Sequence, residues 1–127
     1  MASKKNKKIL IVEDDALLLK VLVEVFSKEK LEISTVTNGL EVEKAAKDFL
    51  PDMILLDLLL PGLDGFAVLK ALKADKKLEK IPVVILSNLE DIGDVKSTKV
   101  LGAEEYFIKA NIEIHKVVDY VKNRLKV

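Results

Sequence analysis

Four short stretches of the chain hold side chains whose chemistry stands out: Glu13-Asp14-Asp15, Asp57, Ser87-Asn88 and Tyr106-Phe107-Ile108-Lys109. Asp57 is set inside an apolar run, with Met53, Ile54, Leu55 and Leu56 before it and Leu58, Leu59 and Leu60 after it. A carboxylate buried alone in such a run would cost several kcal/mol, so it needs a partner. Gathered carboxylates repel and raise each other's pKa unless a cation sits among them. A donor set of oxygens without His or Cys suits a hard ion. Mg²⁺ fits best, because it takes one or two carboxylates and keeps several waters that a phosphate can replace. Lys109 would neutralise further negative charge, and the Ser87 hydroxyl could donate to an incoming oxygen. Together these groups would prepare a site for a phosphoryl group, with a carboxylate as acceptor. Singly, each has a plainer reading. Asp15 suits a helix N-cap, and Glu13 and Asp14 suit capping or solvated surface. Ser87 suits a strand end, and Tyr106 suits packing. The combination and its order carry the signal.

The elements that would bring these residues together can be read from hydrophobic patterning. Ile9–Val12, Met53–Leu56 and Val83–Leu86 are continuous apolar runs of strand length, as expected of strands buried on both faces in a parallel sheet. Glu32–Val36 and Glu105–Ile108 are shorter candidates, expected nearer the sheet edges. Between them lie helical patterns. Leu17, Leu18, Val21, Leu22 and Val25 recur at helical spacing over Ala16–Lys28. Asn38 and Glu41 resemble a capping box opening a helix through Lys47. Asp64 would cap a helix to about Lys73, with Val68, Leu69 and Leu72 inward. A fourth helix is expected over about Glu90–Leu101, ending at Gly102. Asn111 would cap the last, with Ile114, Val117, Val118, Val121 and Leu125 on one face. Strand and helix alternate five times, which predicts an α/β fold with a parallel sheet and helices on both faces. Sites in such folds form at the carboxyl ends of the strands, where all four stretches fall.

The totals narrow the classes. The chain of 127 residues fits one domain, with residues 1–7 a solvated basic tail and 8–127 the folded unit. Half the residues are hydrophobic and a third charged, a globular composition. Lys+Arg and Asp+Glu both number 21, so no global field argues for nucleic acid or an anionic membrane. The absence of Cys excludes disulfides, thiolate catalysis and Cys-type zinc sites, and one His excludes a His-rich metal site. No apolar stretch reaches the roughly 18 residues of a membrane span, and the N-terminal stretch is too short for a signal peptide. A cytoplasmic location is expected. His115 reads as a surface or interface residue, and the lysines at 4, 5, 7 and 8 as solvated.

Read together, "ILIVEDD", "PDMILLDLLLPGLDGF", "IPVVILS" and "LGAEEYFIK" resemble the receiver domains of two-component response regulators. The resemblance covers about residues 8–125. It implies a flavodoxin-like (βα)5 fold, a doubly wound five-stranded parallel sheet of order 2-1-3-4-5. It implies that Asp57 is the phosphoacceptor. Asp14 would be the direct Mg²⁺ ligand, Glu13 would hold the ion through water, and Asp57 and the Leu59 backbone carbonyl would be further ligands. Ser87 resembles the switch hydroxyl, Tyr106 the aromatic that turns inward with it, and Lys109 the lysine that pairs with the aspartyl phosphate. Pro61-Gly62 would shape the loop after Asp57. Departures are Ala110, where the family usually has a cis proline and a trans bond is expected here, and Asn88, where a small residue is usual. Asn88 could cap the fourth helix, with Asp91 three residues on. Leu59 and Leu89 fill positions that modulate attack by water in this family. Both are apolar, so slow autodephosphorylation is expected.

The implied function is a phosphorylation-dependent switch, not an enzyme in the ordinary sense. It would be served by a sensor histidine kinase, a phosphotransfer protein or a small phosphodonor. Its output would be a downstream protein target reached through the fourth helix, fifth strand and fifth helix, as a monomer or a phosphorylation-dependent homodimer. The chain stops near Val127, so a full-length protein of this sequence would work by contact with another protein and a piece of a longer one would have its output elsewhere; direct contact of this chain with nucleic acid is not expected, nor is a membrane. Three alternatives remain at this stage: a degenerate receiver that binds partners without phosphorylation, an aspartyl-nucleophile phosphatase and an idealised scaffold. The phosphatase would want a second Asp two residues on, where Leu59 stands. The Cys-free, Leu/Val/Lys/Glu-rich composition would suit the scaffold.

Overall fold

The computed structural model describes residues 6–89 and 92–127. Five strands, β1 (Lys7–Val12), β2 (Leu31–Val36), β3 (Met53–Leu56), β4 (Val83–Ser87) and β5 (Glu105–Ile108), alternate with five helices. These are α1 (Ala16–Ser27), α2 (Val42–Phe49), α3 (Gly65–Ala74), α4 (Ile92–Val100) and α5 (Ile114–Leu125). Every strand pairing is parallel, in the order β2-β1-β3-β4-β5. The predicted sheet is therefore found, with β2 and β5 at its edges.

The sheet divides two cores. Leu10, Val12, Ile54, Leu56, Val83 and Ile85 pack on one face with Val42, Ala46, Val68, Leu69 and Leu72 from α2 and α3. Ile9, Ile11, Met53, Leu55, Val84 and Leu86 pack on the other with Leu22, Phe26, Val117, Val121 and Leu125 from α1 and α5. Burial on both faces is why the central strands show no polar alternation. Each of these side chains larger than Ala46 contributes roughly 1.5–3 kcal/mol by leaving water.

Some local expectations hold and others do not. The Asp15 carboxylate accepts the N–H groups of Leu17 and Leu18 at 3.0 and 3.2 Å and starts α1. Asp64 accepts from Ala67 at 3.0 Å and starts α3. Asn38 caps, but not in a capping box: its side chain accepts the Leu40 N–H at 2.8 Å, Gly39–Glu41 form a 3-10 turn, and α2 opens only at Val42. The Asn111 cap is corrected too. Residues 109–111 make a 3-10 turn, Ile112 returns to extended backbone, and α5 starts after Glu113, which makes no side-chain cap bond. In α1 the inward stripe is Leu22 and Phe26 with Leu18, Leu19 and Val25, while Leu17 and Val21 are exposed. The helix is apolar over more than one face, and the sheet covers only the arc turned toward it. Gly102 takes φ of 110° just past α4, as expected of a terminator. Glu90 and Asp91, and residues 1–5 of the expected tail, lie outside the described residues.

Candidate functional site

Parallel register brings the four stretches to one edge. Val12 pairs with Leu56, Leu56 with Ile85, and Ser87 with Ile108. Past the strand ends the ladder continues: the Asp57 N–H donates to the Val12 carbonyl and the Glu13 N–H to the Val36 carbonyl, each at 3.0 Å. Because side chains alternate, Glu13 follows Ile11, Asp57 follows Leu55 and Lys109 follows Phe107, all on the α1/α5 side. Ser87 and Tyr106 take the opposite alternation.

Lys109 joins the two buried acids. Its Nζ lies 2.7 Å from Asp57 Oδ2 and 2.7 Å from Glu13 Oε1. The second Glu13 oxygen accepts the Asp15 N–H at 3.0 Å, and the second Asp57 oxygen accepts the Leu59 N–H at 3.1 Å. Burial pushes the Glu13 carboxyl above the ordinary glutamate value, against the pull of its bond to Lys109. Burial works against the Lys109 ammonium, but its bonds to Asp57 and Glu13 more than offset this and leave it above the usual lysine value.

Asp14 is exposed at the rim. One oxygen from each of Glu13, Asp14 and Asp57 lies within 4.8 Å of the others. Three carboxylates against one ammonium make a donor set that fits a hard divalent cation. A further observation fits an incoming anionic oxygen: the Ser87 hydroxyl is fully buried and, apart from its approach to the Tyr106 phenol, has no hydrogen-bond partner among the described residues. Tyr106 is half-buried and its hydroxyl donates to the Leu89 carbonyl at 2.7 Å. Its phenol is raised by burial, then by the negative charges of Asp94 and Asp57.

The structure thus brings Glu13, Asp14, Asp57 and Lys109 together and sets Ser87 and Tyr106 at the neighbouring strand ends, while Leu59 contributes a backbone N–H and its side chain is exposed. No cis peptide bond occurs among the described residues, so Ala110 follows Lys109 through the expected trans bond. Asn88 is exposed beside the site. Sequence reasoning missed the part played by Asn38 and Gly39. The Gly39 N–H donates to the carbonyl of Pro61, inside the loop that follows Asp57, at 3.0 Å. The Asn-Gly dipeptide signals a turn, but nothing local says what that turn touches.

Comparison with known proteins adds to this geometry. The response regulator receiver domain family matches residues 9–122. The chain is 36% identical over 120 residues to sporulation initiation phosphotransferase F of Bacillus subtilis, covering 94% of each. It is 35% identical over 104 residues to the DNA-binding response regulator MtrA of Mycobacterium tuberculosis, covering 82% of this chain and 44% of that one. The chain therefore spans less than half the length of that relative. The solved Mn²⁺-bound form of response regulator Rcp1 matches with a TM-score of 0.81 at 29% identity, covering 91% of each chain. A match running through all five strand ends, on a sheet of the implied order, makes this chain a member of the response regulator receiver family of two-component systems.

Proposed function

We propose that the chain is a phosphorylation-dependent signalling switch in which Asp57 accepts the phosphoryl group. The observation that carries this reading is the buried Asp57 carboxylate at a strand end, held at 2.7 Å by Lys109 with Glu13 and Asp14 alongside. An Asp57 oxygen forms a bond to phosphorus in line as the bond to the donor breaks, and the donor departs with that electron pair. The donor is a phosphohistidine of a sensor kinase or phosphotransfer protein, or a small acyl phosphate. Lys109 meets the negative charge that spreads over the transferring group. Glu13 (through water), Asp14, Asp57 and the Leu59 carbonyl are the groups that would hold Mg²⁺, which when bound supplies further positive charge against that same build-up. The Rcp1 relative, solved with Mn²⁺, supports a divalent cation here.

Afterwards the buried Ser87 hydroxyl turns to a phosphoryl oxygen and Tyr106 follows. The surface of α4, β5 and α5 changes with them and alters binding of a downstream protein. Asp57 is consumed and regenerated within one molecule, so this is a switch that assists its own modification and not an enzyme turning over substrate.

The test is incubation with Mg²⁺ and acetyl phosphate, read by intact mass. One phosphoryl group is expected on the unmutated chain and none on Asp57→Asn. An unmutated chain that stays unmodified, with beryllofluoride also failing to bind, overturns the reading.

A further inference from the structure

Asp57 opens the loop of residues 58–64, which places the main chain of Leu59 beside the acceptor carboxylate. Two hydrogen bonds close this loop on itself: Gly65 N–H to the Leu58 carbonyl at 2.9 Å, and Leu63 N–H to the Pro61 carbonyl at 3.1 Å. These bonds hold the shape of the loop, and Leu60 and Leu63 pack it partly against the core. Leu58 is buried and anchors the near side. On the far side, among the described residues, one main-chain hydrogen bond reaches the loop from another element, and it comes from Gly39 to Pro61.

Two close approaches enforce the same joint. A methyl group on Gly39 would run into the carbonyl group of Leu63, which is backbone and cannot swing aside. Gly62 takes φ of 80°, and a side chain there would run into the Asn38 amide oxygen and Leu40. That amide oxygen is itself fixed by the Leu40 N–H at 2.8 Å. The turn after β2 and the acceptor loop are therefore fitted backbone against backbone, with Asn38 filling the space that Gly62 leaves.

The joint matters for chemistry because of what the other end of the loop touches. The Leu59 N–H donates to Asp57 Oδ1, so a change of tilt moves atoms in contact with the acceptor. Misplacement by about 1 Å can cost as much as 10²-fold in rate. We infer that Asn38 and Gly39 are positioning residues for phosphoryl transfer. Acting through Pro61, Gly62 and Leu63, they hold the 58–64 loop at the tilt that sets the Leu59 main chain against the acceptor and the cation site. The inference rests on the acceptor role assigned to Asp57 and extends the working parts of the site to a turn that contributes no group to the reaction.

The test compares the unmutated chain with Gly39→Ala and Asn38→Ser. It measures Mg²⁺ affinity by calorimetry, the Mg²⁺ dependence of labelling by acetyl phosphate, and thermal unfolding. Gly39→Ala is expected to weaken Mg²⁺ binding roughly tenfold, as outer-shell changes at metal sites do. The Mg²⁺ midpoint of labelling should move by the same factor. Asn38→Ser keeps a hydroxyl to cap Leu40 but loses the amide against Gly62, and should shift both in the same direction by less. If Gly39→Ala does not unfold cooperatively, Asn38→Ser decides alone. Lowered melting with Mg²⁺ affinity and labelling unchanged would mean a purely structural turn and overturn the inference. An unmutated chain that binds Mg²⁺ but is never labelled overturns the acceptor role instead.

Discussion

Lys109 is where the electrostatics of the site balance. One ammonium is shared by two carboxylates that water hardly reaches, and Asp14 adds a third at the rim. Removing one partner from a buried ion pair costs more than the pair itself contributes, because the charge left behind has lost both water and partner. Lys109→Met would leave Asp57 and Glu13 facing each other in that condition. Urea unfolding in the presence of a chelator is expected to show a loss of about 3 kcal/mol. Part of it should return in excess Mg²⁺, because a cation among the carboxylates takes over the balancing charge. Stability of both chains left unchanged by Mg²⁺ would mean that no cation enters the cluster.

At the scale of elements, much of the fold was legible and the exceptions have a common cause. Continuous apolar runs marked β1, β3 and β4, because burial on both faces leaves no room for alternation. Asp15 and Asp64 marked helix starts, because a cap is satisfied within three residues. The capping box of Asn38 with Glu41 and the Asn111 cap were misread, and the exposure of Leu17 and Val21 could not be read locally. Their roles depend on which distant backbone or which side of the sheet they meet. The same limit hid the tie that holds α5. The Tyr120 hydroxyl donates to Glu104 at 2.6 Å, the Arg124 Nε donates to the same oxygen at 2.8 Å, and the Tyr120 ring sits edge-on to Phe107. No local pattern links residues 16 and 20 positions apart.

This tie has a pH signature. Burial, then the bond to Glu104 and its charge, push the Tyr120 phenol well above the ordinary value, and Tyr106 is also raised. These are the two tyrosines of the chain. Both folded-state values lie above the unfolded one, so the stabilisation is complete below about pH 10 and is lost as pH rises through the raised values. Tyrosinate absorbance should stay flat as pH passes about 10 and then rise together with loss of far-ultraviolet circular dichroism. Tyrosinate forming near the ordinary value in a chain that is still folded would contradict the tie.

For the whole molecule, the sheet sets a problem of transmission and of time. Asp57, Glu13 and Lys109 follow the α1/α5 side, while Ser87 and Tyr106 follow the other. On the proposed function, a change of charge at Asp57 would therefore reach α4 around the ends of β4 and β5. The Tyr106 hydroxyl already grips the Leu89 carbonyl there, so the β4–α4 loop is coupled to the aromatic that would move. On the proposed function, how long an altered surface lasts would depend on water attacking the aspartyl phosphate. An attacking water needs a polar group to orient it and take its proton. Leu59 is 53% exposed and Leu89 packs partly against the core, and on the proposed function these two apolar side chains stand at the positions that would modulate attack by water. The phosphorylated state should accordingly be long-lived, and Leu59→Asn should shorten it about tenfold, a barrier change near 1.4 kcal/mol. The measurement is phosphate release after the phosphodonor is removed, with the labelling rate as the control that Asp57 is still reached. Fast release from the unmutated chain, unchanged by a polar residue at 59 or 89, would show that these side chains do not govern access. In that case the timing would have to lie in the acceptor loop itself, whose tilt is held from the far side by Asn38 and Gly39.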